Sequence, residues 1–176
     1  MEFDALKLVF NMPFRIDANG PYASALQELT TRLSRAGEVQ CVTPKKRNLE
    51  PSELDAFYAS RMESFAGSVV WAFDERGEEL DSVALARQLE KLRDQGTRSL
   101  QLCLGAATGL PAVLARQAGL RLIRLSRMTF AHELAALVVF EQFYRAHTIN
   151  SGHPYHYGAP SDLVQAKVRA ADRRLN

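Results

Sequence analysis

The sequence predicts an α/β domain, a mostly parallel sheet with helices on both faces, and two observations carry that prediction. Strand-length apolar runs alternate along the chain with amphipathic stretches of helical period, the pattern of successive βα units. Two of the runs also end directly in loops of small or polar residues, at Leu104-Gly105 and Leu125-Ser126. Open α/β sheets place their ligands at such carboxyl ends.

The strands expected are Leu6 to Phe10, Val39 to Thr43, Val69 to Phe73, Leu100 to Leu104 and Leu120 to Leu125, each rich in Val, Leu or aromatics and ended by turn residues. Between them lie four helices. Tyr22 to Ala36 carries Ala25, Leu26, Leu29 and Leu33 at helical spacing and is stopped by Gly37, and Ser52 reads as the N-cap of a helix running to about Ala66. Asp81 or Ser82 caps a third with Leu85, Leu89 and Leu92 on one face and Gly96 past its end, and Pro111 fits the first turn of the fourth. A last long helix, His132 to Ile149, has Leu134, Leu137, Val138, Phe140, Phe143 and Tyr144 around much of its circumference, which predicts burial on more than one side, as in a dimer interface.

A chain of 176 residues with 47% apolar and 24% charged residues suits one globular domain. Its longest apolar stretch is too short to span a bilayer, and the acidic start lacks the form of a signal peptide, so a cytoplasmic protein is expected, with no membrane partner. Cys41 and Cys103 both sit in strand-like runs without CxxC spacing and read as core residues. The net charge of +2, with basic clusters at Lys45-Lys46-Arg47 and in the tail, permits an RNA partner without requiring one. His153 and His156 have a metal-ligand spacing but no evident third ligand, so no metal is expected.

Four motifs follow one another from Val69 onward: Phe73-Asp74-Glu75-Arg76-Gly77; Leu104 to Gly109; Leu125-Ser126-Arg127-Met128-Thr129-Phe130-Ala131-His132; and His153-Pro154-Tyr155-His156-Tyr157. Read alone, the two glycines of Gly105-Ala106-Ala107-Thr108-Gly109 merely turn the chain, Ser126 or Thr129 caps a helix, and Phe130 anchors a core. Glu141 and Arg145 read as a helix-surface ion pair, and His147 as a partly buried helical residue. Together, in this order and spacing, the motifs resemble the RlmH family. Its members are SPOUT-class methyltransferases with a C-terminal trefoil knot that methylate N3 of a pseudouridine in the 23S RNA of the assembled ribosome.

The resemblance implies a homodimer that uses S-adenosylmethionine, with residues 1–160 as the methyltransferase domain and 161–176 as a helical extension. Its implied cofactor residues are Phe73, Gly105, Ala106, Gly109, Leu125, Arg127, Met128, Thr129, Phe130 and His132. Methyl transfer to a ring nitrogen needs a base, or a donor that stabilises the uracil anion. For that role it implies Glu141 together with the tail residues His153, Tyr155 and His156, which reach over the pocket of the other subunit. The chain departs from the family pattern at Ala106-Ala107-Thr108 in place of Gly-Pro-Glu, at Ala131 in place of proline, at Ala136 in place of arginine, and at Tyr157 in place of a basic residue. These departures keep two other readings open: a non-catalytic relative that binds ribosomes, and a methyltransferase with a different RNA target.

Overall fold

The computed structural model describes residues 6–47, 49–153 and 155. Five strands, β1 (Lys7–Asn11), β2 (Val39–Val42), β3 (Val69–Glu79), β4 (Ser99–Cys103) and β5 (Arg121–Arg124), form one sheet of order β2-β1-β4-β3-β5. Every pairing is parallel, as the alternation of strands and helices requires. Five α-helices accompany them: α1 (Ala23–Ala36), α2 (Pro51–Ala59), α3 (Met62–Phe65), α4 (Ser82–Asp94) and α5 (His132–Asn150), with a 3-10 turn at Ala112–Arg116 before β5.

Side chains alternate across each strand, so the sheet builds a core on each face. Leu100 and Leu102 of β4, with Leu104 just past its end, join Phe10 and Trp71 under α1, α4 and α5. Phe10 stacks on Phe140 of α5 with ring centroids 4.0 Å apart and meets Phe143 edge-on at 5.8 Å. On the other face Val70, Ala72 and Cys103 pack against Leu54, Tyr58 and Phe65 of α2 and α3 and against Leu114 of the 3-10 turn.

Several sequence expectations change in detail. The cap of α2 is Glu50, not Ser52: Pro51 occupies the first helical position, where no N–H is needed, and Glu50 and Glu53 cap each other reciprocally. The helix expected to reach Ala66 breaks into α2 and α3 at Ser60-Arg61, where the Ser60 hydroxyl donates to the Phe57 carbonyl at 2.8 Å. Asp81 is the cap of α4, accepting from the Ala84 N–H at 2.6 Å. Pro111 precedes a short 3-10 turn and not an α-helix, because Gly119, at φ +71°, already turns the chain into β5. On α5 the buried residues Ala136, Val139, Phe140, Phe143 and Ala146 follow one helical face and Thr148 is buried off it, while Leu134 and Val138 are half-buried. Every position of α5 is buried or half-buried within one chain.

Cys103 is a core residue, and burial pushes its thiol up to about 12. Cys41 is not: it is exposed on β2, an edge strand of the sheet among the described residues. A thiol reagent at about pH 8 should therefore label Cys41 in the native protein and Cys103 only after unfolding. Prompt labelling of both would show that the second core opens readily. Among the described residues, no helix is long and apolar enough to cross a membrane.

Candidate active site

A cleft of about 920 Å³ opens at the carboxyl ends of β3, β4 and β5, lined by three loops and the start of α5. The first loop interrupts β3. Phe73 pairs with Ile123 of β5, and so does Glu78, so the residues between them, Asp74 to Gly77, leave the ladder and rejoin it one loop later. The strand expected to end at Phe73 runs on to Glu79 in the structure. Asp74 is not solvated: its side chain is 8% exposed and accepts from the Arg76 N–H at 2.9 Å, Nε at 2.7 Å and Nη2 at 3.0 Å. The Arg76 guanidinium holds the Asp74 carboxyl below the usual carboxylate range. The loop can return to the sheet because Gly77 lacks a side chain: a Cβ there would lie 2.5 Å from the Ile123 backbone N and C.

The second loop is a turn closed on itself. The Ala106 N–H donates to the Gly109 carbonyl at 3.1 Å and the Gly109 N–H to the Ala106 carbonyl at 2.9 Å. Gly109 has φ +87°, and a Cβ on Gly105 would come within 2.9 Å of the Gly109 carbonyl carbon. The two outer glycines are thus needed by the turn itself. The small side chains of Ala106 and Ala107 line the cleft.

The third loop runs from Leu125 to α5. Ser126 does not cap the helix; its hydroxyl accepts from the Met128 N–H at 3.0 Å, which curls the loop back, and the N-cap position is Ala131 without a side-chain cap. Phe130 is no core anchor either: it is 38% exposed and lines the cleft, as does Met128 at 75% exposure. Opposite, Phe73 also lines the cleft and touches the core edge-on through Phe143 at 6.5 Å. His132 opens α5 with its ring 4.5 Å from that of Phe14, facing both the cleft and an adjoining hollow bordered by Tyr22, Arg47 and Glu133.

Of the cofactor residues expected from the sequence, Phe73, Gly105, Ala106, Gly109, Leu125, Met128, Thr129, Phe130 and His132 line this one cleft, and Arg127 is exposed beside it. Arg124 was not foreseen. It lines the cleft with Nη2 on Glu79 at 3.2 Å, while its buried Nε has no hydrogen-bond partner among the described residues. As the last residue of a strand feeding a ligand loop, it carried a positional signal that its type did not reinforce.

The tail motif lies elsewhere in the chain. Glu141 accepts from Arg145 Nε at 2.9 Å and from Gln142 Nε2 at 2.6 Å, and the Tyr155 hydroxyl donates to it at 3.4 Å. The Tyr155 ring packs edge-on against Tyr144 at 4.8 Å, with the Arg145 guanidinium 5.2 Å above it. Burial, followed by the Glu141 charge, raises the Tyr155 phenol above its ordinary range, so it stays protonated. His153 is exposed, and its Nδ1 accepts from the Tyr155 N–H at 3.2 Å. His147 is half-buried, and burial lowers its pKa. At a rise of about 1.5 Å per residue, α5 puts Glu141, Tyr144 and Arg145, which hold Tyr155, roughly 14–20 Å from His132. His156, Tyr157 and the extension 161–176 lie outside the described residues. Among the described residues no group of His, Cys, Asp and Glu converges on a metal site.

Known proteins resemble the chain over most of its length. A family described as "Predicted SPOUT methyltransferase" matches residues 16–156. A protein of Rhizobium etli named ribosomal RNA large subunit methyltransferase H is 42% identical over 127 residues, 72% of this chain and 75% of its own length. Its namesake from Pelobacter propionicus is 35% identical over 136 residues, 76% of this chain and 88% of its own. The match to the same-named protein of Rhizobium meliloti is shorter but denser, 50% identity over 91 residues, and spans only 56% of that relative. With the family model covering most of the chain and two of these relatives at least 35% identical over three quarters or more of their own length, the protein belongs to the RlmH family of SPOUT methyltransferases.

Proposed function

We propose that the protein is an S-adenosylmethionine-dependent methyltransferase of large-subunit ribosomal RNA that acts as a homodimer on N3 of a pseudouridine in the assembled ribosome. The observation that carries this reading is the single cleft at the sheet's carboxyl edge, which gathers nine residues of the expected cofactor set from three separate loops. Its walls suit a flat heteroaromatic ring with an ionic tail: Phe73 and Phe130 are apolar, the small residues of the Gly105 turn allow close approach, and Asp74, Arg76 and Arg124 supply charge. When bound, S-adenosylmethionine supplies a methyl group on a sulfonium, ready for attack by a nitrogen lone pair.

The knot implied by the family supports the same placement, since it would bring the second and third loops together over one ligand. Dimerisation is supported by α5, whose Leu134 and Val138 are half-buried in a single chain, and by the distance between the cleft and the Tyr155 cluster. A second subunit would cover the first and supply the second. In the tail, His153 Nδ1 is occupied by the Tyr155 N–H, so the neutral imidazole carries its proton on Nε2. That makes His153 a donor to a carbonyl oxygen of the uracil anion and not the base that removes the N3 proton. Tyr155 stays neutral as well and offers a ring for stacking, held by Glu141 and Arg145.

Calorimetric titration of the full chain with S-adenosylmethionine, followed by a labelled-methyl assay on ribosomes lacking the modification, tests this. Saturable binding and one methyl group per ribosome are expected. Binding without transfer would favour the non-catalytic ribosome-binding reading, and absence of binding at millimolar cofactor would sink the cofactor assignment.

A further inference from the structure

We infer that Tyr58 is a positioning residue for the methyl donor, acting through the Leu104 carbonyl to aim the N–H of Gly105 into the cleft. The inference rests on the cofactor reading above but on a different part of the molecule, the core behind the sheet.

The Tyr58 side chain is fully buried among α2, β3 and β4. Its hydroxyl sits between two main-chain carbonyls at the carboxyl ends of neighbouring strands, 2.5 Å from the oxygen of Leu104 and 3.0 Å from that of Asn11. A phenol has one proton to give. The Asn11 carbonyl already accepts the Leu104 N–H at 3.0 Å, whereas the Leu104 carbonyl has no other donor among the described residues. The proton therefore belongs on the nearer oxygen, that of Leu104. Leu104 is 2% exposed, so water does not replace that donor.

The Leu104 carbonyl and the Gly105 N–H share one planar trans peptide and point in opposite directions. Holding the first toward Tyr58 fixes the second away from it. Gly105 lines the cleft, and its N–H donates to nothing among the described residues. Beyond it the Ala106–Gly109 turn is closed by its own two hydrogen bonds. The peptide between Leu104 and Gly105 is thus the joint between a rigid sheet and a rigid turn, and the Tyr58 hydroxyl locks it. Nothing in the sequence marks Tyr58, since it lies on a helix far from every motif and reads as an ordinary buried aromatic.

Tyr58→Phe keeps the ring and removes only the lock. The expected result is an affinity for S-adenosylmethionine about tenfold weaker by calorimetry, the worth of one well-made hydrogen bond, with a displaced Gly105 amide resonance in the NMR spectrum of the free protein. A purely structural role would lower the melting temperature but leave the dissociation constant, measured well below melting, unchanged. As a second probe, 3,5-difluorotyrosine in place of Tyr58 keeps the shape with a stronger donor and should leave the affinity equal or tighter. Equal affinities in the wild type and Tyr58→Phe, or a weakening by the fluorinated ring, would overturn the inference while the cofactor cleft stands. No saturable binding by the wild type would overturn both.

Discussion

Gly77→Ala is expected to destabilise the protein by about 3 kcal/mol, near the upper end of what overpacking by one methyl costs. The reason is the nature of what the new Cβ meets. Its nearest neighbours are the backbone N and C of Ile123 and the carbonyl carbon of Leu122, all within 2.6 Å. A crowded side chain could rotate away, but β5 can yield only by moving as a strand. β5 is an edge strand held on its one side by β3, and Ile123 is part of the core beneath α5. The strain should thus reach the cleft as well, since Leu125 to Phe130 hang from the end of β5. Urea denaturation monitored through Trp71, which is buried in the same core, measures the loss. A change under 1 kcal/mol would mean that the loop from Asp74 to Gly77 can rejoin the ladder by another path.

The second large effect tests the proposed division of labour between two subunits. A chain carrying His153→Ala and Tyr155→Ala is expected to bind S-adenosylmethionine normally and to lose methyl transfer by about a hundredfold or more, the usual worth of donors acting on the transition state. A chain carrying Gly105→Val should lose the cofactor, because its side chain meets the Gly109 carbonyl carbon at less than van der Waals distance. Each alone is inactive for a different reason. Co-expressed, the two should recover about a quarter of the wild-type rate, since half of randomly formed dimers are mixed and each holds one intact cleft facing one intact tail. A mixture as inactive as its components would show that each tail serves its own chain, and the roughly 14–20 Å along α5 between His132 and the residues that hold Tyr155 would then have to be crossed within one subunit.

How far the sequence foretold these features depends on which interactions decided them. β1 and β4 were legible because a parallel strand buried on both faces is a short apolar run with no competing pattern, and every strand was placed to within a residue or two except β3. There the strand resumes at Glu78 and Glu79, whose carboxylates pair with Arg121 and Arg124 across the edge of the sheet. No local pattern reports a partner that lies more than forty residues away. Helix caps failed where two candidates stood close together: Ser52 has the better residue type, but Pro51 fixes the geometry and shifts the cap to Glu50. The cleft was readable because its loops are short and directly joined to strands, so motif order translated into spatial neighbourhood. What sequence could not supply was Arg124 and Tyr58, whose roles come from where the sheet brings them.

The strand order also has a consequence for how the chain is made. β4 lies between β1 and β3 and pairs with both, yet both precede it in the sequence, and Leu8 finds its partner Leu100 only across 92 residues, the difference of their positions. On a ribosome, β1 and β3 emerge first and cannot join, because the strand that separates them has not been synthesised. The hydrophobic faces of α1 and of the early strands must wait until more than half of the chain is out. A fold so dominated by distant pairings forms slowly for its size, and the newborn chain is therefore most exposed to aggregation and to proteases in the interval before Cys103 leaves the tunnel.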